Sequence, residues 1–359
     1  MKFNFSKKCS AAMLAASFVI VSAINFAFAG PVDSSKLKNT VITAVAETKI
    51  PGGTNMIFCS TFQMAWSCLA DDIVKGAIEL AGAPGYVETL NSFTSQKSLV
   101  KPASCVFMAG FGKTGIIERI NKSLAEKFGP KAPKVTEALK PEDVIAYAYL
   151  FKELKFVKDF EALKDPVDFG NIKLDAFGIR FFNPASETHR ELSRQVDILY
   201  YGKDGFIIRF NSSSPDEEII LSTIAPDESL AATFKTVAQK IAGSEARKLG
   251  ADDRLRIPKI GFDLIHSYAG LIGKNLLNKG FEKYIIAKAL QAIKFSFNEK
   301  GATLTSEARI KMTKTAMPGP SESKDLTARP PFIIYLKEKA AQSPYFMMNI
   351  ADEELLVKK

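Results

Sequence analysis

The sequence predicts an α+β chain built on a large mixed β-sheet with flanking helices, and three observations carry that reading. Between residues 144 and 210, apolar runs of strand length follow one another at 144–151, 172–182, 195–201 and 205–210. Amphipathic stretches of helical period stand on either side. At 115–128, Ile116, Ile117, Ile120, Leu124 and Phe128 share one face, and 227–243 is a second such stretch. Strands then return at 255–258, 288–297, 331–337 and 344–350, so the last part of the sequence supplies the final strands. At 359 residues and 47% hydrophobic, the chain has ample material for one large core.

Residues 1–29 read as a targeting segment. Lys2, Lys7 and Lys8 form a basic start, 11–26 is apolar, and Ala27-Phe28-Ala29 is a small-residue cleavage site before Gly30. The expected mature chain, 30–359, is therefore exported, extracellular or periplasmic, with no membrane association after cleavage. Next, 34–47 reads as a helix capped by Asp33 or Ser34, and Pro51-Gly52-Gly53 breaks it. The stretch 55–76 is apolar with helical character, 104–109 is a short strand, and 263–277 is a further helix.

Composition excludes several chemistries. Of the nine net positive charges, three lie in the leader, and the remaining charges are interspersed, which argues against a nucleic-acid partner. Four cysteines, one of them in the leader, leave an odd set: Cys59, Cys68 and Cys105, expected as buried free thiols. The two histidines, His189 and His266, stand near no cysteine and in no metal-binding spacing, so no metal and no cofactor is expected. Residues 110–115, GFGKTG, sit between a strand-like run and a helix, but Phe107 occupies the position of the first glycine of a phosphate loop. No G-x-S-x-G elbow occurs, and the chain does not read as an enzyme. Asn121-Lys122-Ser123 and Asn211-Ser212-Ser213 are glycosylation sequons.

The most ordered pattern is 298–315, NEKGATLTSEARIKMTKT. It follows a strand with no tight turn expected between them. Ala302, Leu304, Ser306, Ala308, Ile310 and Met312 alternate strictly with Thr303, Thr305, Glu307, Arg309, Lys311 and Thr313. Such a period of two gives a strand with one buried face. A Pro/Gly/Ser loop, 317–324, follows it.

Several stretches, in order, resemble the serpin family. VIAYAYLFKELKFVKDF at 144–160 is similar to the serpin strand "LVNAIYFKGKW…F", and QVDILYY at 195–201 to "QVLELPY". RLRIPKIGFDL at 254–264 resembles "LPKF…DL", IKFSFNEKG at 293–301 the strand ending "VNEEG", and 329–350 the hairpin "RPFLFFIRE…ILFMGKV". Residues 55–69 match the early "NIFFSPLSI…AL" helix loosely.

The resemblance implies a single domain over 30–359, with a C-terminal β-barrel-like set of strands and an exposed reactive-centre loop. It implies a monomeric inhibitor whose partner is a serine (or cysteine) protease. The loop is cut at Thr315–Ala316, or at Lys314–Thr315 if the count shifts by one. It then inserts into the main sheet and traps the enzyme as a covalent acyl-enzyme. The implied hinge is Glu299, Lys300, Gly301, Ala302, Thr303 and Leu304. The implied inserted face is Ala302, Leu304, Ser306, Ala308, Ile310 and Met312. The implied sheet-opening cluster is Cys59, Ser60, Tyr147 and Gln291, where the family has Ser-Pro, Asn and His. The helix that covers the main sheet in the family has no expected counterpart, because 134–142 leads directly into a strand. The alternative is a non-inhibitory binding protein of the same fold.

Overall fold

The computed structural model describes residues 31–92, 99–250, 253–304 and 323–359. Strands and helices are numbered in chain order. A five-stranded sheet holds β1 (Val32–Asp33), β13 (Ile260–Ser267), β14 (Leu290–Asn298), β15 (Gly301–Leu304) and β6 (Lys152–Lys155), in that order. Only β1 against β13 is parallel; the other three pairings are antiparallel. A ribbon of β4 (Cys105–Phe111) and β5 (Val144–Leu150) continues this sheet, because β5 runs into β6 through the single residue Phe151.

A seven-stranded sheet packs behind it. Its order is β2 (Thr40–Thr43), β3 (Asn55–Cys59), β18 (Phe346–Ile350), β17 (Phe332–Glu338), β11 (Glu217–Ser222), β10 (Gly205–Phe210) and β9 (Val196–Gly202). A four-stranded sheet of β16 (Asp325–Thr327), β12 (Arg254–Pro258), β8 (Ile172–Ile179) and β7 (Glu161–Phe169) closes one end.

The main core lies where these sheets meet. Phe156, Phe160, Phe177, Phe210 and Phe297 form one aromatic cluster there, with ring centroids 4.7–6.4 Å apart. Strand β14 shows why the sheet has one dry face: Gln291, Ile293, Phe295 and Phe297 are buried, while Leu290, Ala292 and Lys294 are exposed.

Among the described residues, five α-helices dress the sheets: α1 (Thr61–Cys68), α2 (Tyr86–Ser92), α3 (Ile116–Phe128), α4 (Glu187–Arg194) and α5 (Leu230–Ala242). Ser186 and Ser229 cap α4 and α5 by accepting the backbone N–H three residues on. Helix α3 buries Ile116, Ile120 and Leu124 against Val106 of β4 and packs on Ile145, Tyr147 and Tyr149 of β5. It therefore lies across the β4–β5 ribbon, and the main sheet has a covering helix after all. The covering face is the amphipathic stretch 115–128 itself.

Two helical expectations fail and a third holds only from Thr61 onward. Residues 34–47 hold β1's continuation into a single 3-10 turn and then β2; 55–59 is β3, and the helix starts only at Thr61; and 260–267 is β13. A tight turn also precedes the alternating stretch: Asn298 pairs with Gly301, and Asn298 Oδ1 accepts the Lys300 N–H at 2.9 Å.

Candidate functional site

The start of the alternating stretch lies inside the main sheet. Strand β15 pairs with β14 on one side, Ala302 against Phe297, and with β6 on the other, Ala302 against Leu154. Ala302 is 1% exposed and sits with both partners in the aromatic-floored core. Its small side chain suits that floor. Gly301 has φ +130°, and a Cβ there would run into the Leu154 carbonyl oxygen. Only glycine brings the chain this close to β6.

Beyond Leu304 the described strands part. Among the described residues, β5 pairs only with β4, and the 290–295 part of β14 pairs only with β13. Two strand edges therefore flank the line along which β15 points.

Both ends of the loop segment are tethered by carboxylates. On the near side, Glu299 Oε2 lies 3.0 Å from Lys259 Nζ, which also holds Asp175 Oδ2 at 3.1 Å. Burial opposes the Lys259 ammonium, but the two carboxylates outweigh it and hold its pKa above the usual lysine value. The backbone is fixed as well. Phe160 N–H donates to the Glu299 carbonyl at 2.8 Å and Phe156 N–H to the Lys300 carbonyl at 2.9 Å. On the far side, fully buried Asp253 accepts the Lys324 N–H at 2.6 Å and the Gly250 N–H at 2.7 Å.

Under the sheet, Gln291 ties β14 to the start of α1. Its Nε2 donates to the Cys59 carbonyl at 2.9 Å and to Thr61 Oγ1 at 2.8 Å, and its Oε1 accepts the Tyr268 hydroxyl at 2.7 Å. Ser60 adjoins this network, and its buried Oγ has no hydrogen-bond partner among the described residues. Tyr147 stands apart from the other three residues of the expected cluster: it packs with α3 on the opposite face of β5, and burial pushes its hydroxyl up to about 12. The three described cysteines are buried and in no disulfide, and burial raises the thiols of Cys59 and Cys105.

Glu299, Lys300, Gly301, Ala302, Thr303 and Leu304 are thus placed at the turn and in the sheet. Ser306, Ala308, Ile310, Met312, Lys314, Thr315 and Ala316 lie outside the described residues, as does the leader. Other motifs are absorbed by the fold. The N–H groups of Gly112 and Lys113 donate to the carbonyls of Asp143 and Pro141, so residues 110–115 offer no phosphate cradle. Asn121 is bonded to the Val135 backbone, and Asn211 donates to Asp197. His189 bridges Asn183 N–H and Glu161. His266 on β13 shares a 2.8 Å hydrogen bond with Ser34 of the 3-10 turn, and burial holds its pKa low. No cluster of three or more potential metal ligands exists among the described residues.

Sequence reasoning passed over Asp175, Lys259 and Asp253. It also passed over a buried group around Lys152, whose ammonium meets both Glu217 and Glu338. The available signal was polarity out of place: Lys259 interrupts the apolar run Ile257–Phe262, and a lysine there needs a carboxylate.

No family model matches the chain, and no curated protein matches it. In solved structures it is similar to serpins. Serpin48 of the insect Tenebrio molitor, described as highly specific, aligns over 83% of this chain and 92% of its own, at 11% identity and TM-score 0.45. The thermophilic serpin Tengpin in its native state aligns over 84% and 90%, at 13% identity and TM-score 0.48. Human thyroxine-binding globulin with its hormone aligns over 84% and 92%, at 10% identity and TM-score 0.47. At these values the likeness concerns the path of the chain and says nothing of its activity.

Proposed function

We propose that this chain is a serpin-type protease inhibitor that works by inserting its cleaved loop into the main sheet. The observation that carries this reading is the register of β15. It pairs Ser296 with Thr303 on one side and Lys152 with Leu304 on the other. Continued without a bulge, that register sets Ser306 between Ile293 and Leu150, Ala308 between Gln291 and Ala148, and Met312 opposite Val144. The alternating stretch ends where β5 begins. In the inserted state the inward members would face the buried side of β14, and Glu307 and Arg309 would stand opposite exposed Ala292 and Leu290.

The driving force follows from elementary terms. Each ladder hydrogen bond contributes about 0.5–1.5 kcal/mol net, and burying Ile310 and Met312 adds about 1.5–3 kcal/mol each. In the reaction, the protease nucleophile attacks the Thr315 carbonyl carbon. The bond to the Ala316 nitrogen breaks, and that nitrogen leaves as an amine with a proton supplied by the protease. An ester (or thioester) to Thr315 remains. Insertion of 305–312 then carries the bound enzyme along the sheet, away from the geometry that would hydrolyse it. Export fits the basic, apolar and Ala-x-Ala order of the leader, which would place the target protease outside the cytoplasm.

The test is incubation of the 30–359 chain with elastase-like, trypsin-like and subtilisin-like proteases, followed by denaturing electrophoresis and mass spectrometry. A band at the summed mass less the released C-terminal peptide, which begins at Ala316 or Thr315, is the expected result. A cleaved loop, no adduct and a fully active protease would overturn the inhibitor and leave a binding protein of the same fold.

A further inference from the structure

The segment after β18 closes a three-way backbone junction beneath the hinge. Lys259 N–H donates to the Asp175 carbonyl at 2.8 Å, Asp175 N–H to the Val357 carbonyl at 2.8 Å, and Val357 N–H to the Lys259 carbonyl at 2.9 Å. Each residue thus gives one bond and takes one, so none of the three can shift without breaking two. Leu356 bridges Ile260, Lys358 bridges Leu174, and Lys359 N–H reaches the Lys173 carbonyl at 3.0 Å. Upstream, Glu354 anchors the same segment by accepting the N–H groups of Lys38 and Asn39. Of the junction's residues, Lys259 forms the ion pair with Glu299, two residues before Gly301, and Asp175 is the second carboxylate on the same ammonium.

We infer that Val357 is a positioning residue for the loop hinge: its two backbone bonds fix the Asp175–Lys259 pair that holds Glu299. This rests on the inhibitor reading for its purpose, but the hold itself can be measured without any protease. Lys259 is the single residue between β12, whose ladder to β8 ends at Pro258 opposite Ala176, and β13 of the main sheet, and Asp175 lies on β8. The Lys259 N–H is held by β8, and its carbonyl is held by Val357, so Val357 fixes this residue where the chain passes from one sheet to the other. With Val357 in place, the hinge keeps its turn until the loop is cut.

The test compares Val357→Pro with Val357→Ala. Alanine keeps both backbone bonds, whereas proline removes the N–H that reaches Lys259. Hydrogen exchange is read at the Phe156 and Phe160 amides, which donate to the hinge carbonyls, against β10 and β17 amides as internal reference. The expected result is at least a tenfold faster exchange of the two hinge amides in the proline variant alone, with an altered fraction of protease trapped per molecule consumed. If Val357→Pro loses its native circular dichroism, removal of 357–359 replaces it. Exchange within twofold of Val357→Ala in whichever variant folds would overturn the assignment. Faster exchange with no adduct in any form, parent included, would support the hold of Val357 while removing the inhibitor reading.

Discussion

Glu217 and Glu338 share one ammonium, that of Lys152, and all three side chains are nearly inaccessible to water. The Tyr345 hydroxyl donates to Glu217 at 3.1 Å, and the Lys101 N–H donates to Glu338 at 2.6 Å. One cation cannot neutralise two buried carboxylates, so the group holds excess negative charge. Burial pushes the Glu217 carboxyl above its ordinary 4.5; the bond from Lys152 opposes this and the charge of Glu338 reinforces it. The folded chain therefore keeps this proton to higher pH than the unfolded chain does. Below 4.5 both states are protonated and the group is neutral in its effect. As pH rises through the raised value the proton leaves, and stability falls by up to about 1.4 kcal/mol per pH unit. Glu217→Gln keeps the shape and removes the titration. The stability difference, variant minus parent, should rise with pH from 4.5 toward neutrality, as read from denaturant midpoints in a buffer series. A difference that stays flat across that range would show that Glu217 is already charged in the folded state at 4.5.

At the scale of the element, β15 depends on one residue lacking a side chain. Gly301→Ala should expel Gly301–Leu304 from between β14 and β6, because the added methyl meets the Leu154 carbonyl and φ +130° disfavours any L side chain. The loss should appear as fast exchange at Phe156 and Phe160, with trapping of protease reduced at least about a hundredfold; unaltered exchange would mean that the turn refits around the methyl. This element was legible before any coordinates, since a strict period of two over a one-sided sheet leaves a strand as its simplest account. Strand β14, with Phe297, Phe295 and Ile293 inward, was legible for the same reason. Other elements were not. Asn55–Cys59 is buried on both faces, so it shows no alternation and merges with the apolar start of α1. In β13, Leu264 stands four residues before Tyr268 and seven before Leu271, a helical spacing that arises because a strand ends in a turn there. Asp33 does cap a helix, but one that lasts a single 3-10 turn before β-branched Thr40–Thr43 takes over. Lys259, Asp175 and Val357 belong to three segments far apart in the chain, and no local pattern joins them.

For the whole molecule, the relation between the two strand edges flanking the hinge decides what the fold can do. The β4–β5 ribbon is tied to α3 on its outer face, while β14 is tied to β13 and, through Gln291, to α1. Helix α1 also packs under β4 and β5, so the two edges share one underlying helix and one core, and among the described residues β15 and β6 join them near the hinge. A strand driven between the edges adds a ladder on each side, so the inserted state gains bonds above the shared core. Eight residues, 305–312, entering in the register of β15 would add on the order of 10 kcal/mol from hydrogen bonds and apolar burial together. For a chain of this size such a gain corresponds to a rise in melting temperature of at least about 10 °C. Cutting the loop with a protease that is not trapped, and removing that protease, should therefore give a nicked chain that melts well above the intact one in calorimetry at equal pH and salt. A nicked chain that melts at the same temperature as the intact one would show that the two strand edges do not part, and that β15 is an ordinary strand whose register leads nowhere.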